Sequence, residues 1–449
     1  MKRLPLYPWL ALLMGVLSDY AVRPELTQLS ELAVVVAVGL TIPAAVFAVF
    51  WAVCRDLRKA GLACFLFLVA FFFYAKLYGW VAGWPVVGSH RVLLPASLLV
   101  LGWFVWRIVR LRRSLEATTL LLNVITAGAL IYPVVKLGAF HLMRIPLLGA
   151  VEQFLTNRPH PQASRRTQPL PDIYYFIFDR YGSQDVLSAR YGFDNSEFYE
   201  FLRRKGFYIA TESHSNYLRT AFSLSSSLNL TYLDGLAAAL GPDNKDWNPL
   251  YRLLEEHVVG RFLKTQGYRF IHAGSWWWPT RRNRYADENL NWNAALPAPN
   301  LRLLVDFTML KPLGEEMGLG WLDVRRQQWQ RERYKFAQIA AIARRPEPTF
   351  TFAHFILPHD PFVFDRDGSF LPEAVMQQRT AEENYRNQLL ATNEQIRILV
   401  EHLLADSETP PVIVLQADEG PAPERFRREG FRFDWPQPHQ RNCERRRAS

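Results

Sequence analysis

The chain has 449 residues and is 49% hydrophobic, with 30 Phe, 18 Tyr and 14 Trp, which is rich for a soluble protein and long enough for two or three domains. Its net charge of +10 is unevenly placed: residues 1–150 carry 14 Lys and Arg against 5 Asp and Glu, while the remainder is near neutral at 38 against 37. With the excess in the apolar half and no basic stripe or reading element elsewhere, nucleic acid is excluded as a partner.

The first 140 residues predict an α-helical membrane domain of five transmembrane helices, over 5–22, 31–54, 60–84, 91–111 and 116–138. Each is near the ~20 apolar residues that a crossing requires. The first could pass for a signal peptide, but it lacks a small-residue cleavage site and more spans follow it. Lys2 and Arg3, then Arg55, Arg58 and Lys59, then Arg107, Arg110, Arg112 and Arg113 fall on one side. That side is cytoplasmic by the positive-inside rule, so five crossings deliver the rest of the chain outside. Lys76 and Lys136 are expected to snorkel toward the interface. Residues 141–171 read as a helix on the membrane surface, "HLMRIPLLGAVEQFL", and then a Pro- and Arg-bearing linker, Asn157 to Pro171.

From 172 to 435 the pattern changes to alternating strands and helices, which predicts an α/β domain with a mostly parallel central sheet. Two runs without polar alternation, "IYYFIF" and "VIVLQA", read as central strands buried on both faces, and each ends on acid: Asp179 in the first case, Asp418 and Glu419 in the second. The C-terminal edge of an open parallel sheet is where such folds place their chemistry. A further strand is expected over Phe207–Ala210, after which "SNYLRTAFSLSSSLNL" puts Thr220 at a helix start. Thr220 is either an ordinary N-cap or a hydroxyl activated by the helix's positive end and a nearby metal. Ser223 and Ser225 lie inside that helix. In "HFILPHDPFVFD", His359 is placed to touch a substrate anion or a metal, whereas His354 is expected to face the packing. "GSWWWPTRRN" sets Trp276, Trp277 and Trp278 beside Arg281 and Arg282, either a clamp for a phosphate group or an interfacial aromatic belt. The cysteines, Cys54, Cys64 and Cys443, form no CxxC motif and no disulfide framework.

These motifs in this order resemble the alkaline-phosphatase/sulfatase superfamily. The chain is more closely similar to bacterial five-span membrane sulfatase-like proteins, which include lipoteichoic-acid-synthase-type phosphoglycerol transferases and phosphoethanolamine transferases. The resemblance covers Pro171 to Phe433 and rests on "IFDRYG", "SNYLRTAFSLSSSLN", "LPHDPFVFD" and "VIVLQADEG". It implies an alkaline-phosphatase-like domain on the outer side of a bacterial cytoplasmic membrane, acting on phospho- or sulfo-esters of a membrane lipid or envelope glycan. Carried over, it makes Asp179 and Asp418 metal ligands, Thr220 the metal-bound nucleophile and His359 a substrate-side or metal-side group; Trp277, Arg281 and Arg282 are the candidate substrate-binding groups of the tryptophan-arginine motif. Formylglycine chemistry does not fit, because no cysteine lies near the nucleophile position, and a threonine there implies transfer through a phospho-threonine.

Two departures stand against the family pattern. Glu419 occupies the place of a usual histidine, a harder and more anionic ligand that favours Mg²⁺ or Mn²⁺, with Ca²⁺ also suited, over Zn²⁺. The arginine-crowded tail 436–449 has no apolar period, and a truncated product is expected. A catalytically degenerate scaffold in envelope assembly is the competing function.

Overall fold

A computed structural model describes residues 4–24, 29–157, 170–241, 244–292, 308–310, 312 and 323–421. The chain forms two compact units, one from Met1–Pro146 with Ala294–Asp323, the other from Leu147–Asn293 with Val324–Ser449. Most of the expected linker and the whole of 422–449, including the arginine-rich tail, lie outside the described residues.

The first unit is helical: α1 (Tyr7–Val22), α2 (Leu29–Cys54), α3 (Leu57–Val81), α4 (His90–Arg110) and the first part of α5 (Glu116–Thr156). Four segments, Leu32–Cys54, Leu57–Val81, His90–Arg110 and Glu116–Met143, are long and apolar enough to cross a membrane, whereas α1 has only 16 residues. Large apolar side chains such as Val53, Leu99 and Ile131 point outward, as they do on lipid-facing helices. The side chain of Asn123 supplies the start of α1 with its missing cap. Its Oδ1 accepts from the Leu6 and Tyr7 amides at 2.9 Å each, and its Nδ2 donates to the Leu4 carbonyl at 2.9 Å. Residues expected in the α/β domain also join this unit, where Met309 is buried beside Tyr74 and Leu93 and its amide donates to the Phe71 carbonyl.

The residues expected to form a surface helix are helical and continue α5, which runs from Glu116 to Thr156. Phe154 and Leu155, near its end, pack with Leu233, Leu236 and Ala237. Packing of that kind offsets the local penalty of an internal proline.

The second unit is built on one parallel sheet of β1 (Ile173–Phe178), β2 (Arg269–Ala273), β3 (Glu288–Leu290), β4 (Thr349–Phe355) and β5 (Val412–Ala417), in the order β3-β2-β4-β1-β5. The connections carry α6 (Gln184–Tyr191), α7 (Ser196–Arg204), α8 (Thr220–Leu228), α9 (Asp234–Leu240), α10 (Asn248–Glu255), α11 (Val258–Thr265), α12 (Val324–Ile342) and α13 (Ala381–Asp406). Alternate residues of β1 feed two cores. Phe176 and Phe178 join Phe336, Phe355 and Val400 in one, while Ile177 joins Leu224, Phe270 and Phe352 in the other.

Two strand expectations are corrected. Among the described residues β5 is an edge strand, with Val412 47% and Val414 40% exposed, so it is not buried on both faces. Phe207–Ala210 forms no strand. Phe207 and Ile209 pack on the core while Tyr208 points to solvent, so the alternation belongs to an extended segment lying over the core without a ladder partner.

Candidate functional site

Register brings the two acidic strand ends together. Phe178 of β1 is level with Phe355 of β4 on one side and Ala417 of β5 on the other, so Asp179 and Asp418 leave the sheet side by side. The turn after β1 is held in place by Arg180, which adopts a left-handed φ of 58°. Its amide donates to Asp418 Oδ1 at 2.9 Å, and its carbonyl accepts from the Tyr385 hydroxyl at 2.8 Å. Its guanidinium reaches Glu419 Oε1 at 3.2 Å and Asp360 Oδ1 at 3.5 Å.

Helix α8 starts at this edge, and its N-cap is Arg219, not Thr220. Thr220 is the first helical residue, and its hydroxyl acts on the Asp418 carboxyl in favour of the charged form. The two competing hydroxyls are committed elsewhere: Ser223 Oγ donates to the Asp418 carbonyl at 2.5 Å and Ser225 Oγ to the Leu250 carbonyl at 3.2 Å. Asn229 ties the far end of α8 down, donating to the Ser225 and Leu253 carbonyls and accepting from the Val258 amide.

The electrostatics are those of an anionic cluster short of positive charge. Burial pushes the Asp418 carboxyl up to about 6, assisted by the charge of Asp179. Burial and the charge of Asp418 push Glu419 up to about 8 against the pull of Arg180. Burial acts on Asp179 in the same sense, but the imidazoles of His354 and His359 and the Arg180 guanidinium together hold it below the ordinary carboxylate range. Each of the three acids keeps one buried oxygen with no hydrogen-bond partner: Asp179 Oδ1, Asp418 Oδ2 and Glu419 Oε2. Orphaned carboxylate oxygens are costly unless something cationic meets them. Hard oxygen donors of this kind suit a divalent cation. Among the described residues no group of three or more His, Cys, Asp or Glu side chains is arranged to hold a metal ion.

His354, expected to face the packing, is packed inside the sheet, and its ring also borders the acids. It is fully buried, with Nε2 3.4 Å from Asp179 Oδ2 and Nδ1 2.7 Å from Thr280 Oγ1. Lys335, buried against Glu332, donates to the His354 carbonyl. His359 follows in the loop after β4, where its amide donates to the Asp179 carbonyl at 3.2 Å and its imidazole, 21% exposed, faces Asp360. Buried Gln388 of α13 holds that loop, donating to the Pro358 and His359 carbonyls and accepting from the Val363 and Phe364 amides.

The tryptophan-arginine motif is split by the structure. A Cβ at Gly274 would lie 1.9 Å from the Arg281 carbonyl, so only glycine lets 274–281 fold back on itself. That fold presents Trp277 edge-on to His354, at 6.0 Å and 76°, with Thr280 beside it. Arg282 is exposed and its charge acts on Glu255, while Arg281 is half-buried at the end of the turn. The guanidiniums whose fields meet the acids are Arg180 and Arg219, the latter stacked over Trp247 and attracted by Glu419. Neither was singled out from the sequence, although each adjoins a residue that was.

Comparison with protein-family models, curated proteins and solved structures yields no match, so the reading of the site rests on its own residues.

Proposed function

We propose that the protein is a membrane-anchored, divalent-metal-dependent transferase or hydrolase of the alkaline-phosphatase/sulfatase kind, acting outside a bacterial cytoplasm on a phospho- or sulfo-ester of a lipid headgroup or envelope glycan. The observation that carries it is the set of three partnerless carboxylate oxygens, on Asp179, Asp418 and Glu419, gathered where Thr220 opens α8. A divalent cation held by these carboxylates and the Thr220 oxygen would supply Lewis acidity and lower the pKa of the hydroxyl.

For a phosphoester, the chain's own groups perform the transfer in two halves. Thr220 Oγ attacks phosphorus as its proton leaves to solvent, the ester P–O bond breaks, and the departing oxygen takes up a proton from solvent. Water or an acceptor alcohol then attacks the phospho-threonine, the Thr220 Oγ–P bond breaks, and the proton lost by the attacking oxygen is balanced by one that solvent returns to the Thr220 hydroxyl. Arg180 and Arg219 offset the charge of acids and substrate, and His359 lines the more open side. With α1 counted as a fifth crossing, the positive-inside rule sets this domain opposite the cytoplasmic N-terminus. A phosphatase reporter joined at Gln162 should be active and one at Arg58 silent, and the opposite pattern reverses the topology.

A second reading, a catalytically silent binding module, is favoured by the Arg180–Glu419 pair, which partly neutralises the cluster internally. Metal content separates the two. The purified full-length chain, stripped with chelator and reloaded, should take up Mn²⁺ stoichiometrically and hydrolyse p-nitrophenyl phosphate only when loaded. Failure to hold any divalent ion would leave the silent module standing. Glu419→His should move metal preference toward Zn²⁺, and an unchanged preference removes Glu419 from the ligand set.

A further inference from the structure

The basic residues where α4 gives way to α5 are not all used alike. Arg55, Arg107 and Arg110 lie over the rings of Trp51, Trp103 and Trp106. Lys59 Nζ donates to the Val109 carbonyl at 2.8 Å, and Arg58 pairs with Glu116 at 3.5 Å. Arg112 and Arg113 are different. Both are exposed, and among the described residues neither guanidinium has an ion pair, a hydrogen bond or a ring contact. They directly precede Ser114, where a groove of about 530 Å³ opens along the start of α5. Its lining continues with Glu116, Ala117, Leu120, Leu121 and Val124. The last four stand at i, i+3, i+4 and i+7, which is one face of a helix.

We infer that this corner of the helical unit is a binding site for one anionic phospholipid, with the phosphate at Arg112, Arg113 and Ser114 and an acyl chain along the apolar face of α5. The site belongs to the helical unit alone and does not depend on the chemistry assigned to the α/β unit. Length fits the occupant. From Ala117 to Val124 the face runs about 10 Å at 1.5 Å per residue, inside the ~15 Å that one leaflet contributes to a hydrocarbon core of about 30 Å. A chain lying there keeps its headgroup level with the two arginines.

Charge complementarity selects the headgroup. The lining's one acid, Glu116, is met by Arg58, and the carboxylate of nearby Asp56 is occupied in capping α3. Ser114 Oγ accepts from the Glu116 amide at 3.4 Å, which leaves its proton for a phosphate oxygen, and the positive end of α5 lies at the same place. A zwitterionic headgroup would bring its own cation to the same guanidiniums. The loop is also fixed in advance, by the Lys59 and Arg58 contacts on either side and by buried Leu115 between them, so less freedom is lost on binding. An orientation signal requires only that positive charge lie on one side of the membrane. It requires neither a groove nor two uncommitted guanidiniums at its mouth.

The test is native mass spectrometry of the full-length chain, delipidated in detergent and titrated with phosphatidylglycerol or with phosphatidylcholine of the same acyl chains. One phosphatidylglycerol should bind saturably, and phosphatidylcholine about 10-fold more weakly, a comparison that needs no substitution. Arg112→Gln combined with Arg113→Gln should weaken phosphatidylglycerol binding about 10- to 30-fold. Ala117→Trp, which fills the groove and leaves the charges in place, should weaken it as well. Arg107→Gln combined with Arg110→Gln removes the same charge from the stacked positions and should have the smaller effect. Equal losses in the two double variants would show general attraction to a basic end and overturn the inference, as would equal binding of the two lipids or binding of neither. A dimer without lipid that Ala117→Trp dissociates would put a second copy of the chain on this face and overturn it too.

Discussion

The helical unit and the α/β unit handle polarity in opposite ways. In the helical unit the apolar surface faces outward and polar groups at helix ends are consumed locally. Asn123 caps α1, and the Asp56 side chain accepts from the Arg58 and Lys59 amides at the start of α3. In the α/β unit the surface is ordinary and the anomaly is inside, where three acids at the sheet edge keep buried oxygens without partners. Outward apolar side chains are what a helix shows to lipid. Inward orphaned carboxylates are what a protein keeps for a cation or a charged substrate.

Substitutions at the two units should therefore fail in different ways. The largest effect is expected from Thr220→Ala, which should cut turnover of p-nitrophenyl phosphate on the order of 10³-fold or more. Because Arg219 is the N-cap, the same substitution should leave thermal stability within about 0.5 kcal/mol. A melting curve run beside the assay checks both halves, and an unchanged rate would move the role to another group. Next in size, Lys335→Met should destabilise the α/β unit by about 3–5 kcal/mol, since it strands buried Glu332. Denaturant titration reads this, and a neutral result would show that Glu332 finds another proton or partner. Asn123→Ala should cost about 1–3 kcal/mol by uncapping α1, without altering Mn²⁺ affinity. Weakened metal binding in that variant would break the separation of the two units.

The smallest expected effect is a pH dependence in chelator-treated protein. Folding raises the proton affinity of Asp418 to about 6 and of Glu419 to about 8. The folded chain thus binds more protons than the unfolded one in that range, and stability falls as pH rises. The melting temperature should drop by a few degrees between about pH 5 and pH 9. Loading with Mn²⁺ should flatten the slope, because a cation replaces the protons. A slope of the opposite sign, or one indifferent to Mn²⁺, would remove the two acids from the site.

Much of the site was legible because strand ends are written in composition. "IYYFIF" and "VIVLQA" are apolar runs that stop at acid, and parallel register does the rest. Thr220 could be placed at a helix start because the helical pattern begins there. His354 was not legible in the same way. Every residue of β4 is buried, so no alternation tells which face a side chain takes, and a histidine in such a strand reads as packing. Arg180 escaped notice because its role depends on a left-handed backbone at a non-glycine position, which sequence does not announce. The edge position of β5 was hidden for the converse reason, since Val, Ile and Leu look alike in edge and central strands.

The most direct test of Thr220 as nucleophile is the intact mass of the Mn²⁺-loaded full-length chain, quenched in acid during turnover of p-nitrophenyl phosphate, followed by peptide fragmentation. A gain of one phosphoryl group located on Thr220, absent in Thr220→Ala and in chelator-treated protein, is the expected result. Turnover with no phosphorylated species, or with the phosphoryl group on a different residue, would contradict it.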